Sequence, residues 1–567
     1  MHRMRALTTT GLRLAVAAVV LLAACGGDND DAGAPGATGE NSSPAVVERL
    51  RLRGGPFGYP SPFGYVRGPG LVYTGYAFDT LIWKDSTGKL IPWLATEWSH
   101  SPDGKEWRFT LRDGVKWHDG RPLTVDDVVF TFQYLTKGPG RQTGVIHTQG
   151  VDVIAEVVPE GTNQVIFRLQ RPYAAFEESI AGRALIIPKH VWADVTDPAK
   201  LRGPQALLGS GPYKVESTDE AIGRYLFTAN QDHFLGPPTV RRLELSPAPD
   251  PLRALERGEV DASAFFLEEQ GPPDQALAAF ADRARWGRIE GPGEWTRALH
   301  FNMTKGFPYD NKGFRQAVAY AVDRKDLVDR ILLGRGQPGS AGILAPSHPF
   351  AAKDLPTYER DVEKAKSLLD QIGIRDGNGD GKRDLPDGKP FSPELLTSSQ
   401  FSPKTPELVK EYLRAVGVDV RITSLDGAAA DEATTRGAYE LAVIGYGGLG
   451  GDADFPLRIR LSSRVPARSF FNVLGYQNPQ YEDLAARQAA LLDTEQRKNV
   501  VQEIQRIVAD DVPSLPLYLP TRLLIFDKRI FDAWYFTPGG VWGAYPGPEN
   551  KQAFVTGRTT GLERRPR

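Results

Sequence analysis

Residues 93–135 read WLATEWSHSPDGKEWRFTLRDGVKWHDGRPLTVDDVVFTFQYL, a stretch that combines a strand pattern, a turn and a helix start. Trp107, Phe109 and Leu111 alternate with polar residues, which is the pattern of a half-buried strand. Residues 101–104, Ser-Pro-Asp-Gly, predict a tight turn immediately before that strand. The first half of the stretch therefore predicts antiparallel strands joined by short turns.

A helix follows the strands. Thr124 is a favourable N-cap residue, and Asp126 and Asp127 fall in the first turn, where the helix dipole favours acidic side chains. The apolar face of this helix is predicted to contain Val128, Val129, Phe132 and Leu135. Further along the chain, helix patterns at 314–332, 362–372 and 500–508 alternate with strand patterns at 418–422 and 439–444. This alternation predicts an α/β protein.

Composition limits the function classes. The chain has 567 residues, which predicts three to four domains or two large lobes. Its hydrophobic fraction of 41% and charged fraction of 24% are those of an ordinary globular protein, which argues against a disordered chain and a polytopic membrane protein. The 68 basic and 70 acidic residues nearly balance, so we expect no nucleic acid partner.

The N-terminus predicts export. Residues 1–24 combine a basic start with an apolar run at 14–24 that is too short to span a bilayer, which is typical of a signal peptide. Cys25 is the one cysteine of the chain, which excludes an intramolecular disulfide. Its setting, Leu-Ala-Ala-Cys, resembles the bacterial lipobox, so we expect a lipidated Cys25. Residues 25–45, rich in Gly, Ala, Asp and Ser, are predicted to form a flexible tether.

Several blocks in a fixed order resemble the family 5 extracellular solute-binding proteins, the oligopeptide, dipeptide and nickel binding family of ABC importers. The resemblance begins in the opening stretch with LRDGVKWHDG at 111–120 and LTVDDV at 123–128. It continues with GSGPY at 209–213, LERGEVD at 255–261, and LHFN at 299–302 followed by FRQAVAYAVDR at 314–324. These blocks cover most of residues 50–540.

The resemblance implies a type II periplasmic-binding-protein-like α/β fold with two lobes and an extra inserted subdomain. Lobe I is predicted to comprise residues 46–82, 206–296 and 510–567. The inserted subdomain is predicted at 83–205, and lobe II at 297–509.

The resemblance also implies a role without catalysis. The protein is expected to capture oligopeptides or dipeptides between its lobes and deliver them to a membrane permease with its own ATPase subunits. An oligosaccharide or a nickel or other metal chelate is the alternative ligand, and a lipid-anchored receptor without transport is a further one. We expect a monomer at the outer face of the cell membrane or in the periplasm, anchored through Cys25.

The candidate ligand contact is Asp452. In the peptide binders of this family a strand end carries an aromatic residue and then an Asp, and a Pro stands four residues after the Asp. The carboxylate of this Asp pairs with the peptide α-ammonium. Asp452 stands four residues before Pro456, and Asp454 is the competing candidate. The family usually has Trp three residues before this Asp, whereas this chain has Leu449 there and Tyr446 further upstream. The alternative for Asp452 is a solvated loop acid.

Residues 445–450 match the pattern GxGxxG after a strand, but no helix start or later acid supports a dinucleotide site. We interpret this stretch as an exposed glycine-rich loop that a ligand backbone can approach. The aromatic loop at 55–65, with Tyr59 and Phe63, either lines the cleft or packs against the surface.

Two further motifs have a functional and a plain interpretation. His118 beside Asp119 suggests acid–base chemistry, but we favour a turn in which both side chains bond backbone. Residues 376–387 resemble an EF-hand loop. They predict either a surface turn or a structural calcium site, whose oxygen ligands would come from Asp376, Asn378, Asp380 and Asp384. We expect no catalytic cofactor.

Overall fold

The structure is a computed structural model that describes residues 46–143, 150–267, 271–291, 293–464, 472–541, 545 and 547–563. The predicted signal peptide, Cys25 and the tether lie outside these residues. Within the described ranges, no helix is both long enough and apolar enough to cross a membrane.

The described strands form four sheets. A seven-stranded sheet has the order β12-β19-β11-β1-β10-β9-β8, and a six-stranded sheet has the order β14-β18-β13-β17-β15-β16. A four-stranded antiparallel sheet (β4-β5-β7-β6) and a two-stranded ribbon (β2-β3) complete the set. The strands are β1 Leu50–Gly54, β2 Ile82–Lys84, β3 Leu90–Pro92, β4 Ala95–His100, β5 Glu106–Leu111, β6 Ile154–Glu160, β7 Gln164–Leu169, β8 Tyr213–Asp219, β9 Arg224–Ala229, β10 Arg242–Pro247, β11 Ala262–Phe266, β12 Trp286–Gly291, β13 Thr296–Phe301, β14 Gly336–Pro338, β15 Glu394–Ser398, β16 Arg421–Leu425, β17 Leu441–Tyr446, β18 Ser514–Pro520 and β19 Arg522–Asp527.

Helices alternate with these strands as the periodicity predicted. The predicted helix at 314–332 is two helices, because the side chain of Asp323 accepts a hydrogen bond from the Asp326 N–H and starts a new helix there. The α-helices are α1 Gly70–Ala77, α2 Val125–Thr136, α3 Lys189–Trp192, α4 Pro251–Glu256, α5 Asp274–Leu277, α6 Lys312–Ala321, α7 Arg324–Ile331, α8 Val362–Gln371, α9 Lys404–Arg414, α10 Gly427–Thr435, α11 Pro479–Ala490, α12 Thr494–Asp511 and α13 Lys551–Thr556.

The GSGPY block at 209–213 lies at a buried junction. Asp79 is fully buried and accepts hydrogen bonds from Trp93 Nε1 (2.6 Å), Ser210 Oγ (2.9 Å) and Lys551 Nζ (2.8 Å). No residue with a side chain fits at position 209, because the Cβ atom would lie 1.9 Å from the carbonyl oxygen of Ala77, so Gly209 is required there. This buried, fully bonded cluster ties the 83–205 segment to the seven-stranded sheet.

The strand pairing bears on the proposed lobe boundaries. The seven-stranded sheet contains strands from the predicted lobe I, and the six-stranded sheet contains strands from the predicted lobe II. β18 is the exception, because it falls in the predicted lobe I segment 510–567 but pairs with β13 in the six-stranded sheet. The division into lobes stays a proposal, and we place its last boundary at Thr521, between β18 and β19.

Candidate functional site

The two large sheets present their carboxyl edges to each other. In the seven-stranded sheet β1 runs parallel to β10 and β11, and in the six-stranded sheet β15 runs parallel to β16 and β17. Among the described strands the chain crosses between these edges twice, from the end of β12 to the start of β13 and through Thr521 from β18 to β19. Ligands of open α/β sheets bind outside the carboxyl ends of their parallel strands. The cleft between these two edges is therefore the candidate binding site.

The loop that follows β17 is packed rather than exposed, which corrects our prediction for residues 445–450. Tyr446 and Leu449 are buried, and a Cβ on Gly450 would lie 2.2 Å from Oε1 of Glu294. The ring of Tyr446 is covered by the guanidinium of Arg460, whose carbon lies 3.4 Å from the ring centroid. The glycines of this loop thus permit close protein packing.

Asp452 already has a cationic partner inside the protein. Its Oδ1 accepts a hydrogen bond from Arg497 Nη2 at 2.5 Å and its Oδ2 accepts one from Arg497 Nη1 at 2.8 Å. Burial disfavours the charged form of Asp452, but the ion pair outweighs it, and the pKa of Asp452 is lowered. A ligand ammonium would have to share this carboxylate with Arg497. The assignment of Asp452 as a ligand contact stays a prediction.

Asp454 is enclosed by protein donors. Its carboxylate accepts two hydrogen bonds from Arg458 (2.6 and 2.7 Å), one from the Tyr173 hydroxyl (2.7 Å) and one from Gln488 Nε2 (2.6 Å). The side chain of Asp454 is 0% exposed, so this geometry leaves no open face for a ligand. The geometry does not support our expectation that Asp454 competes with Asp452 for the ligand.

Glu294, in the first crossover, was missed by sequence reasoning. Its Oε1 accepts a hydrogen bond from the Gly539 N–H at 3.0 Å, and its buried Oε2 has no hydrogen-bond partner among the residues that the structure describes. Burial raises the pKa of Glu294 to about 7. The nearby Lys84 is bonded at 2.5 Å to Glu178 and so does not neutralise Glu294 directly. No periodicity or motif marks a single acid in a four-residue connection.

Arg53 was also missed. It is the penultimate residue of β1, at the carboxyl edge of the seven-stranded sheet, and its side chain is exposed. Arg522 lies at the same edge, at the start of β19, with its guanidinium over the ring of Tyr545 at 5.1 Å. Two arginines therefore flank the cleft on this side. The signal for Arg53 in the sequence is the pattern LRLRG at 50–54, in which arginines alternate with leucines.

The aromatic loop at 55–65 packs against the protein. The Tyr59 hydroxyl donates to the Gly203 carbonyl (3.2 Å) and accepts from the Gly203 N–H (3.0 Å). The ring of Phe63 is buried 5.0 Å from that of Trp192. Of our two interpretations the structure favours packing, and it places Tyr59 and Phe63 against the 83–205 segment.

His118 bonds backbone, as we favoured. Its Nε2 lies 2.9 Å from the Gly211 carbonyl, its Nδ1 accepts from the Gly209 N–H at 3.3 Å, and burial lowers its pKa to about 4. A neutral imidazole with Nε2–H donating satisfies both contacts. Asp119 likewise accepts from the Arg121 N–H (3.1 Å) and contacts His190 Nε2 at 2.9 Å.

The EF-hand-like loop bonds to itself. Asp376 accepts hydrogen bonds from the N–H groups of Gly379 and Gly381, and Asp380 accepts from that of Lys382. Across the part of the chain that the structure describes, no group of three or more His, Cys, Asp or Glu side chains is placed to hold a metal ion. The loop geometry is that of a surface turn.

Comparison with known proteins places the chain in a family. The family description "Bacterial extracellular solute-binding proteins, family 5 Middle" matches residues 89–466. The "Probable di/tripeptide-binding protein 5" of Pseudomonas aeruginosa is 27% identical over 498 residues, covering 83% of this chain and 90% of its own length. The "Nickel-binding periplasmic protein" of Escherichia coli is 26% identical over 452 residues, covering 78% and 83%.

A solved structure confirms the predicted fold. The "mannohexaose bound oligopeptide ABC transporter, periplasmic oligopeptide-binding protein" of Thermotoga maritima superposes with a TM-score of 0.73 at 23% identity, covering 90% of this chain and 98% of its own. The two-lobed type II architecture implied by the family resemblance is therefore correct.

Proposed function

The chain belongs to family 5 of the bacterial extracellular solute-binding proteins, and from this membership we propose that it is the substrate-binding component of an ABC importer. It captures a peptide in the cleft between the two sheet edges and delivers it to a membrane permease. The observation that carries this proposal is the pair of facing carboxyl edges joined by two short crossovers, because such connections act as hinges for closure on a ligand. The protein itself performs no chemistry.

Contacts across the cleft support closure as the working motion. The Tyr173 hydroxyl, from the 83–205 segment, donates to Asp454 of the predicted lobe II. On another side, the Tyr65 hydroxyl donates to Asp431 of α10 at 2.9 Å. A ligand that contacts both edges stabilises the arrangement in which these bonds form, and only that arrangement would dock productively on the permease.

We also propose that Cys25 carries lipid, that residues 25–45 tether the body, and that the protein works as a monomer outside the cell membrane. The sequence of residues 1–45 supports the anchor. The family description, which names extracellular proteins, supports the location.

Two alternative ligands have specific support. The Thermotoga protein named above was solved with mannohexaose, so an oligosaccharide is the second candidate. The Escherichia coli relative is named for nickel, so a metal chelate is the third. In a metal chelate the metal-ligand atoms come from the chelating molecule, so the protein would not have to supply them.

Native mass spectrometry of the full chain, purified in detergent without added ligand, tests the proposal. A ladder of extra masses that fragments into amino-acid residues is the expected result. A single mass that matches a sugar or chelate would overturn the peptide ligand and keep solute binding. A bare protein mass would be followed by thermal-shift assays with peptides of two to nine residues. Failure of every peptide to raise the melting temperature would contradict the peptide proposal.

A further inference from the structure

Arg53 occupies a position where ligands of α/β sheets bind. β1 lies between the two strands parallel to it, β10 and β11, and Arg53 is followed by Gly54 at the end of that strand. The neighbouring strand β11 pairs with β19, which begins at Arg522 directly after the second crossover. Arg53 is thus placed on the lobe I side of the cleft, close to where the chain crosses to the other sheet.

The side chain of Arg53 faces solvent at this edge of the sheet. It is exposed to solvent, unlike Leu52 and Gly54 on either side, which are buried. Desolvation by the neighbouring protein lowers the pKa of Arg53, although the side chain is exposed.

Arg53 makes no hydrogen bond or ion pair with any other described residue, although an arginine held against protein normally pairs with an acid. Arg51 on the same strand differs, because its Nη2 forms an ion pair with Oδ1 of Asp261 at 2.6 Å. The groups that act electrostatically on Arg53 are the phenols of Tyr73 and Tyr545, which are uncharged at neutral pH.

The neighbourhood of Arg53 favours an anion. Arg522 adds a second guanidinium over Tyr545, and it acts electrostatically on Glu549, the acid of this neighbourhood. Burial raises the pKa of Glu549. Glu549 is not among the groups that act on Arg53.

We infer that Arg53 binds an anionic group of the ligand in the cleft, which for a peptide is a carboxylate. The planar guanidinium can donate two parallel hydrogen bonds to the two carboxylate oxygens, a geometry that gives both affinity and orientation. The inference rests on the proposed function, because it assumes that the solute lies between the two sheet edges. It adds a specificity: acidic ligands bind more tightly than their neutral analogues.

The test compares charged and neutral forms of the same ligands. The probes are a mixture of three- to six-residue peptides made from Ala, Leu and Ser, the same mixture with amidated C-termini, and an amidated mixture with one Glu side chain. Oligogalacturonates and maltooligosaccharides of the same lengths provide an acidic and a neutral sugar. Affinities are measured by native mass spectrometry on the full chain stripped of retained ligand by unfolding and refolding.

The variants are Arg53→Gln, Arg53→Lys and Arg49→Gln. Arg49 precedes the same strand, has a side chain 56% exposed and lies 3.9 Å from Glu244, so its replacement makes the same charge change away from the cleft. Because Arg53 bonds no described residue, Arg53→Gln is expected to keep the melting temperature of the wild type. If Arg53→Gln failed to fold, Arg53→Lys, which keeps the charge and loses the planar fork, would be compared instead.

We expect the wild type to bind the free-acid peptides about 10- to 100-fold more tightly than the amides, as for hydrogen bonds to charged groups. Arg53→Gln should abolish that preference and Arg49→Gln should keep it. The Glu-containing amide distinguishes a terminal from a side-chain carboxylate. Peptide binding with no acid preference, or with one that Arg53→Gln retains, overturns the inference and keeps the peptide proposal. If only the sugars bind, and the acidic sugars bind more tightly until Arg53 is replaced by Gln, the inference is kept and the peptide proposal is overturned. A wild type that binds no probe contradicts both.

Discussion

Asp452 and Arg497 form a two-point ion pair in which each carboxylate oxygen accepts one hydrogen bond from a different guanidinium nitrogen, at 2.5 and 2.8 Å. The side chains are 14% and 8% exposed, so the pair is largely removed from water. It joins the loop after β17 to the first turn of α12, where Arg497 follows the N-cap Asp493. The acid that the sequence nominated as a ligand contact therefore also holds the protein together.

Replacing Asp452 with Ala should destabilise the unliganded protein. The change leaves the Arg497 guanidinium buried without its partner, and breaking such a pair costs about 3–5 kcal/mol of unfolding free energy. Urea unfolding of the ligand-stripped chain measures the loss. The double variant Asp452→Ala/Arg497→Met should recover most of it. An Asp452→Ala protein of wild-type stability would contradict this structural role and favour the ligand-contact role.

Glu294 should make the protein less stable as pH rises. Its pKa is about 7 in the folded protein against 4.5 for an ordinary glutamate, so the folded state holds the proton more tightly. The stabilisation from this site is full below pH 4.5 and is lost as pH rises through 7, a change of about 3 kcal/mol. Unfolding of Glu294→Gln at pH 5 and pH 8 should lack this component. Glu290→Gln, an exposed acid on β12, should keep it.

His118 should act in the opposite sense. Burial lowers its folded pKa to about 4, against 6.5 when unfolded, so its contribution is present above pH 6.5 and is lost as pH falls through 4. Between pH 7.5 and pH 5 the wild type should lose about 2 kcal/mol from this site, a loss that His118→Gln removes. Exposed His100 provides the control, because His100→Gln should keep the pH dependence. An unchanged slope in His118→Gln would show that the imidazole is charged in the fold.

Tyr173→Phe should weaken ligand binding more than folding. The lost hydroxyl is one of the donors to Asp454 across the cleft, and a hydrogen bond to a charged group contributes about 1.5–3 kcal/mol. If the bond forms only on closure, affinity for the retained ligand falls about 10- to 100-fold. Tyr134→Phe is the matched control, because the Tyr134 hydroxyl bonds the Val195 carbonyl within the 83–205 segment. Equal effects of the two changes on affinity would contradict a closure role.

Cys25→Ser should release the protein from the membrane. The lipid chains expected at Cys25 supply about 0.8 kcal/mol of membrane affinity per buried CH₂ group, and the hydroxyl of serine cannot replace the thioether link. Cell fractionation and the intact mass of the membrane-bound protein check this. Wild-type protein in the soluble fraction with an unmodified Cys25 would contradict the anchor.

Local features followed from the sequence because they depend on near neighbours. The turn at 101–104, the strand β5 and the helix α2 with its N-cap Thr124 were all expected, and the structure adds a hydrogen bond from the Thr124 N–H to Asp127. The split between α6 and α7 was missed, since apolar periodicity continues through Asp323 and conceals a second helix start. Similarly, the glycines at 445–450 predicted an exposed loop, because the sequence does not show that the side chain of Glu294 packs against Gly450.

The alternation of strands and helices and, through motifs in a fixed order, the family and its two-lobed fold could be predicted from the sequence, whereas the export signal stays a prediction. Those features are encoded in residues a few positions apart. Which charged side chains are neutralised became evident from the three-dimensional structure alone. Asp452 meets an arginine 45 residues later, Asp454 meets a tyrosine 281 residues earlier, and Arg53 meets no acid among the described residues. Ion pairs between distant residues depend on which segments the sheets bring together, and this cannot be predicted from the spacing of residues along the chain.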